Sequence, residues 1–289
     1  MSTIGDVAIV GAGQVGTMVG AALLEAGQKA GVGSVALYDA DPEVALASIA
    51  LGGGDRVLND PSSVLTANTV VLAIPLTDIL AWLEEFGPRV RQGALLLDTG
   101  SAKTAVVAAM ARLVPAGVHA VGGHPMAGSE ASGPQAAVPG ALREAIFALS
   151  PCRTDQEAVV LATRLVSACG AQALVVGAED HDRLVARSSH LPHLVASALA
   201  VVAADGGGDL PLARKLVGTG YRSSTRLAAS DSKMVAAFAS ANRGQLEAAL
   251  REFRQEMERL EVALAGGPGA LEAALGRGRA DRALLLGPA

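Results

Sequence analysis

Two hydrophobic periods alternate along the first 176 residues. Short apolar runs at 7–10, 35–38, 69–74, 94–97, 119–121, 145–150 and 172–176 have the length and aliphatic content of buried strands. Between them lie segments with helical spacing. Val15, Val19, Leu23 and Ala26 recur at intervals of three and four, and Gly27 closes that run as a C-cap. Residues 77–86 (with Trp82), 102–113 and 157–168 read the same way. Strands alternating with helices predict an α/β fold built on a doubly wound, Rossmann-type parallel sheet. Beyond Gly177 the pattern is helical throughout. The expected domains are therefore 1–176 and 177–289, the second all-helical.

In that second part, residues 178–204 read as one helix, kinked at Pro192 because proline lacks a backbone donor. Residues 218–226, Gly-Thr-Gly-Tyr-Arg-Ser-Ser-Thr-Arg, read as a polar connection. Leu246, Leu250, Phe253, Met257, Leu260 and Leu264 form a heptad-like stripe suited to packing or dimerisation, with Asn242 in the N-cap position. After Pro268 one more helix is expected, with Arg277, Arg279 and Arg282 on a solvated face.

Composition narrows the function classes. Hydrophobic residues make up 51% of the 289 and aromatics only 2%, so the core must be built from Ala, Val and Leu. A net charge of −5 without a basic stripe argues against a nucleic-acid partner. Cys152 and Cys169 follow no metal or redox spacing, which fits a reducing cytosol. The N-terminus lacks a basic n-region, and its apolar run is too short for a span. A cytoplasmic, soluble protein without a membrane partner is expected.

Chemistry concentrates in a few stretches. Gly11-Ala12-Gly13-Gln14-Val15-Gly16 sits between a strand and a helix, the context in which such a turn receives a pyrophosphate at a helix N-terminus. Asp39 lies 23 residues beyond Gly16, at the end of the second strand. A carboxylate there accepts hydrogen bonds from a ribose 2′-hydroxyl and repels a 2′-phosphate, and Ala40, Asp41 and Pro42 offer no arginine, so NAD is expected over NADP. Residues 122–133 combine four glycines, His124, Ser129, Ser132 and Glu130. This stretch is expected to be neither core strand nor regular helix, but a loop holding a general acid or base beside a ligand. Pro75, Ser101 and His124 each follow a predicted strand end and so gather at the sheet edge where ligands bind. His119, at a strand start, reads as structural. In Ser188-Ser189-His190-Leu191-Pro192-His193 one imidazole is expected to face the ligand and the other to bond within the helix. No carboxylate or cysteine stands at a spacing that would complete a metal site, so no metal is expected. Arg222 and Arg226, flanked by hydroxyls, suit a carboxylate.

Taken together, the Gly-Gly-His-Pro-Met-Ala-Gly-Ser-Glu run from Gly122, the Asp98-Thr99-Gly100-Ser101 turn, the Ser-His-Leu-Pro-His run and the Thr225-Arg226 loop resemble the prephenate/arogenate dehydrogenase family of tyrosine biosynthesis, in order and over nearly the whole chain. The resemblance implies a Rossmann-like domain followed by a helical domain that forms a homodimer. It also implies NAD(P)-dependent oxidation of a cyclohexadienyl substrate, with decarboxylation to an aromatic product. By motif, His124 corresponds to the catalytic histidine on the substrate 4-hydroxyl, and Ser101 to the serine that bonds this histidine and the cofactor region. Ser129 and Glu130 correspond to pocket positions, His193 to a substrate-binding histidine, Arg226 to the arginine that grips a carboxylate, and Arg222 to a second basic position. Gly11, Gly13, Gln14, Val15, Gly16, Asp39, Pro75 and Ser101 would line the cofactor. Activity is expected to rise with pH as His124 loses its proton.

The sequence departs from the family pattern at Arg222-Ser223-Ser224-Thr225-Arg226, where Arg-Asp-Thr-Thr-Arg is usual, and at Val235, where a tryptophan is frequent. The pocket's aromatic wall is expected to be missing, which brings 4-amino-4-deoxyprephenate into consideration as substrate. No appended regulatory domain is expected after Ala289. A β-hydroxyacid dehydrogenase or imine reductase fits less well, because the first helix of the second part carries His190 and His193 in place of a catalytic lysine. A non-catalytic NAD sensor would not need His124, Ser101, His193 and Arg226 together.

Overall fold

The structure is a computed structural model that describes residues 3–205, 208 and 210–287. Met1, Ser2, Pro288 and Ala289, the outer ends of the two expected domains, lie outside the described residues.

The N-terminal alternation builds β1 (Gly5–Val10), α1 (Gln14–Ala26), β2 (Val32–Tyr38), α2 (Pro42–Ala50), β3 (Arg56–Val57), β4 (Thr69–Leu72), α3 (Leu76–Phe86), β5 (Leu95–Asp98), α4 (Thr104–Leu113), β6 (His119–Pro125), β7 (Ile146–Pro151), α5 (Gln156–Ala168) and β8 (Gln172–Val175). The eight strands form one sheet in the order β3-β2-β1-β4-β5-β6-β7-β8. Side-chain alternation along β1 sends Val7 and Ile9 into the layer shared with Val19 and Leu23 of α1 and Leu161 and Leu165 of α5. Ala8 and Val10 point the other way, against Ile79 and Leu83 of α3 and Val106 and Met110 of α4. The fold is thus the expected α/β sandwich, with aliphatic cores on both faces.

The sheet is mostly, not wholly, parallel, because β6 and β7 are antiparallel. A parallel return needs a crossover of a dozen or more residues, usually a helix. The β6–β7 connection carries the 3₁₀ turn Pro134–Ala136 and no crossover helix, and β7 returns antiparallel. α5 restores a crossover, and β8 is parallel to β7.

Several local expectations change. α2 and β3 were not foreseen; Asp41 caps α2 by accepting from Glu43 N, with Pro42 in the first turn. Residues 122–125 are not loop. β6 runs through Gly122, Gly123 and His124 to Pro125, all buried. The physical reason is close packing. A Cβ on Gly123 would lie 2.4 Å from Asp98 O and 2.9 Å from a Phe147 ring carbon, and one on Gly122 would lie 2.9 Å from a Val107 methyl. The glycines let a strand pass where side chains do not fit. Only the part from Met126 onward leaves the sheet.

The expected helix 178–204 divides into α6 (Ala178–Val185), a π-helical turn (Ala186–His190) and α7 (Leu191–Asp205). The irregularity precedes Pro192, which offers no N–H to the turn behind it. α8 (Leu210–Leu216) follows. The expected polar connection at 218–226 is largely helical: α9 (Thr219–Thr225) leads into a 3₁₀ turn (Arg226–Ala229). α10 (Ser232–Ala241) is capped by Asp231. Asn242 ends α10 and turns its amide inward, to Asp182 O at 2.7 Å. α11 (Arg243–Ala265) and α12 (Pro268–Leu286) complete the chain.

By internal contacts the chain divides into Met1–Arg243 and Gly244–Ala289. Within the second unit, Glu256 pairs with Arg259 and with Arg277 of α12. Met257 and Leu264 of the heptad-like stripe are exposed in the single chain. Among the described residues no helix is long and apolar enough to cross a membrane.

Gly123→Ala should place a methyl against backbone rather than against a movable side-chain end. The expected loss is about 2–3 kcal/mol, read as a lower urea midpoint at unchanged m-value. A wild-type midpoint would show that β6 can move away from Asp98.

Candidate active site

The glycine turn after β1 has the form that a dinucleotide requires. Gly11 adopts φ +96°, and a Cβ there would meet Ala73 O at 2.4 Å. A Cβ on Gly16 would lie 1.9 Å from Gly11 O. These two glycines are demanded by the protein's own backbone. Gly13 is different, since a Cβ there would meet nothing within 4 Å. Its open side lies at the N-terminus of α1, which has no side-chain cap. A pyrophosphate fits such a cradle and would take up amide donors there. Val15 is half-buried against the sheet core. Asp39, past the end of β2, accepts from Ala12 N at 2.8 Å and Asp41 N at 3.0 Å. The carboxylate thereby stiffens the turn it would share with a ribose. Pro75 is exposed at the start of α3.

Gln14 ties this turn to the β6–β7 connection. Its amide donates to Ser129 Oγ at 2.7 Å and Ala136 O at 2.8 Å, and its carbonyl accepts from Ser129 N at 3.1 Å. Next along, Glu130 pairs with Arg226 at 2.5 Å. A turn of its own backbone and the Arg226 guanidinium hold the Glu130 carboxyl below its ordinary value. Two expected substrate positions therefore meet each other across 96 residues of chain. Arg222 is exposed on α9.

His124 sits at the carboxyl-end side of the sheet and is 8% exposed. Its Nδ1 lies 2.9 Å from His181 Nε2, and His181 Nδ1 lies 2.8 Å from Asp182 Oδ1. Asp182 also accepts from Lys103 N at 2.7 Å and Thr104 N at 2.8 Å, capping α4 from another element. Burial alone would raise the Asp182 carboxyl. The hydrogen bonds from His181, Thr104 and Lys103 outweigh it and bring it down to about 2. Burial, then the charges of Lys103, His181 and His190, hold His124 well below the ordinary imidazole value, against an opposing pull from Asp182. The expected rise of activity with pH therefore moves to the acid side of the usual histidine range.

Lys103 is fully buried. It is ion-paired with Asp98 and donates to Gly123 O at 2.6 Å. Burial lowers its ammonium's affinity for the proton, and Asp98 opposes this. Asp98 also accepts from Gly100 N at 2.7 Å and Gly123 N at 3.0 Å, fixing the turn that carries Ser101 beside the strand that carries His124.

Ser101 meets the helical part through its carbonyl, which accepts from His190 Nε2 at 3.2 Å. Among the described residues no hydrogen bond joins its side chain to His124, whose Nδ1 is paired with His181. His190 Nδ1 accepts from Asn242 at 3.2 Å. Burial lowers His190 to about 4 despite the Ser101 contact. His193 donates Nδ1–H to Ser189 O at 3.0 Å, one turn back. His190 is thus a buried bridge to the Ser101 turn, and His193, the ring matched by resemblance to a substrate-binding histidine, is bonded within its helix through Nδ1. Phe238 stacks on His190 at 4.4 Å between centroids and meets His193 edge-on at 5.2 Å. Val235 is only half-buried one turn earlier. Phe238, three residues along the same helix, is the ring that packs against His190 and His193.

Sequence reasoning missed His181, Asp182 and Lys103. A His-Asp pair in the first helix after the sheet, and a lysine two residues after Ser101, were the available signals. Neither signal has a motif spacing: His181 meets His124 across 57 residues, and Asp182 meets the backbone at Lys103 across 79.

A mostly parallel nucleotide-binding sheet with a buried imidazole at its carboxyl edge, followed by helices, defines a dinucleotide-type oxidoreductase fold. Residues 21–175 match the sequence model for the prephenate dehydrogenase nucleotide-binding domain, and residues 177–270 match that for the prephenate dehydrogenase dimerization domain. The chain belongs to the prephenate/arogenate dehydrogenase family. It is 31% identical over 210 residues to a prephenate dehydrogenase of Bacillus subtilis, spanning 72% of this chain and 57% of that one. It is 28% identical over 220 residues to a cyclohexadienyl dehydrogenase of Zymomonas mobilis, spanning 75% and 74%. The chain thus spans little more than half the length of the Bacillus relative. Among solved structures, Aquifex aeolicus prephenate dehydrogenase in complex with hydroxyphenyl propionate and NAD+ superposes with a TM-score of 0.86 at 26% identity, covering 99% of each chain. Synechocystis arogenate dehydrogenase gives 0.79 at 26% identity, covering 97% of this chain and 100% of that one. The first family match begins after the glycine turn, so the reading of that turn rests on its geometry.

His190 is neutral when folded and takes a proton when unfolded anywhere between pH 6.5 and about 4. Its contribution is complete above pH 6.5 and is lost as pH falls to about 4, amounting to about 3 kcal/mol. Denaturant titrations at pH 7 and 4.5 should record this slope, and His190→Gln should flatten it. An equal slope in the variant would assign the acid sensitivity to other groups.

Proposed function

We propose that this chain catalyses NAD-dependent oxidative decarboxylation of a cyclohexadienyl substrate, prephenate to 4-hydroxyphenylpyruvate or arogenate to tyrosine. The observation that carries the proposal is the buried, neutral His124 at the strand ends, one strand beyond the Ser101 turn. NAD+, when bound, would accept hydride from the ring carbon that bears the hydroxyl. Gly11, Gly13, Gln14, Val15 and Gly16 would hold its pyrophosphate, Asp39 its ribose, and Pro75 and Ser101 would border its nicotinamide end. The relative solved with NAD+ supports that cofactor.

His124 removes the hydroxyl proton as the ring carbon is oxidised, and loss of the ring carboxylate as CO₂ then makes the ring aromatic. The proton returns to the phenolate so formed. Positioned general-base catalysis of this kind contributes a factor of about 10²–10⁴. Arg226, with Glu130 as its resting partner, receives a substrate carboxylate. Arg222, Ser129 and His193 complete the substrate side. Oxidation would draw mainly on residues 1–176, while the carboxylate-binding Arg226 belongs to residues 177–289. A homodimer through 177–289, in the cytoplasm, completes this reading.

His124→Asn should fold and bind NAD+ but lose at least about 100-fold in kcat. A loss under tenfold would remove His124 as the base. Arg226→Ala should raise KM about tenfold or more with a smaller effect on kcat; an unchanged KM would take Arg226 out of the site. NADH release measured with prephenate and with arogenate, each with NAD+ and NADP+, decides the substrate and tests the role of Asp39.

A further inference from the structure

We propose that His181 and Asp182 form a proton relay behind His124, so that the proton taken from the substrate hydroxyl is carried as charge on His181 beside the Asp182 carboxylate. This rests on the reading of His124 as the base and goes further, to the atoms involved.

The hydrogen-bond directions follow from one fixed point. Asp182 accepts from Lys103 N at 2.7 Å and Thr104 N at 2.8 Å, so it is an ionised acceptor. His181 Nδ1, 2.8 Å from Asp182 Oδ1, must therefore donate. In neutral His181 the other nitrogen, Nε2, is then an acceptor. It faces His124 Nδ1 at 2.9 Å, so His124 donates from Nδ1. The lone pair of His124 is left on Nε2. The carboxylate thus selects the tautomer of two imidazoles in series.

The arrangement answers a difficulty of the site. His124 is buried and faces the Lys103 ammonium from the start of α4 and His190 from the π-helical turn. Asp98, at the end of β5, is already paired with Lys103. Among the described residues, an imidazolium at His124 would have no acid in contact. His181, 3% exposed, has one. In the step, the substrate O–H bond breaks and an N–H bond forms at His124 Nε2. The His124 Nδ1–H bond breaks and an N–H bond forms at His181 Nε2. His124 is left neutral, and the positive charge lies against Asp182. The same shifts run backwards when the phenolate takes its proton, so no net proton is stored. His181 and Asp182 are positioning residues, since neither reaches the substrate in this scheme.

The test compares His181→Gln, His181→Ala and Asp182→Asn with His124→Asn, with fold checked by thermal melting and NADH binding. His181→Gln offers an amide carbonyl to His124 Nδ1–H but no second proton site. Its kcat should fall about 10–100-fold at nearly unchanged KM, with His181→Ala lower still because the tautomer is released. In Asp182→Asn the acid limb of the kcat profile should move to lower pH, because the charged form of the pair has lost its counter-ion. Asp182→Asn also weakens the cap of α4. The ligand-free wild-type protein therefore supplies a second readout: ¹⁵N NMR of its imidazoles should find His124 protonated at Nδ1 and not at Nε2. Wild-type kcat and acid limb in His181→Gln, or a proton on His124 Nε2, would overturn the relay while leaving the base reading intact, provided His124→Asn is inactive. If His124→Asn keeps its activity, the base reading fails and the relay with it.

Discussion

A lysine with no exposed atom controls the geometry of this sheet edge. Desolvating an ammonium and a carboxylate together is expensive, and the cost is offset only when their remaining hydrogen-bonding capacity is also used. Lys103 uses its capacity on Asp98 and Gly123 O, and Asp98 uses its own on Gly100 N and Gly123 N. The pair therefore clamps three pieces of chain: the end of β5, the turn into α4, and the middle of β6. That clamp forces β6 close enough to Asp98 that only glycine fits at 123. It also carries Ser101 and His124 on adjacent strand ends. Removing one partner would leave a buried charge unpaired, so the arrangement is all or nothing.

Asp182 performs a second joining from the opposite side. It caps α4 although it belongs to α6, and in the same position it faces His181. A helix start that belongs to the sheet layer is thus completed by a residue from the helical region. His190 adds another crossing, from the π-helical turn to Ser101 O, and Asn242 fixes the outer nitrogen of that ring. The imidazole and carboxylate groups near His124 are consequently structural and chemical at once. Burial keeps His124 and His190 neutral near pH 7, which suits proton acceptance at His124, and makes the fold sensitive to acid.

The glycine turn after β1 and the proposed substrate side are linked by short polar steps. Gln14 reaches Ser129, and the adjacent Glu130 reaches Arg226. These contacts are partly exposed and individually weak. Their value lies in registering the β6–β7 connection against both the glycine turn and the start of the 3₁₀ turn at Arg226. The antiparallel course of β7 follows from the same connection, which is occupied by these contacts and carries no crossover helix.

The sequence by itself determined the layer architecture, because strand and helix periods alternate and each glycine turn falls between them. It also marked His124, Ser101 and Glu130, which stand beside strand ends or glycines against an aliphatic background, and Arg226, which is flanked by hydroxyls. It misjudged 122–125 as loop and 218–226 as a connection. Glycine content says that side chains are absent, but not whether the space is filled by a neighbouring strand; a seven-residue helix with serines and threonines carries too little periodicity to declare itself. Only the tertiary structure decided which groups touch. Lys103, His181 and Asp182 have no local signature, because burial and the contacts that join His181 to His124 and Asp182 to the start of α4, across 57 and 79 residues, are what fix their hydrogen-bond directions. Local patterns record how the chain is drawn into elements, whereas hydrogen-bond direction and the placement of charge depend on desolvation, which exists only once the elements have packed.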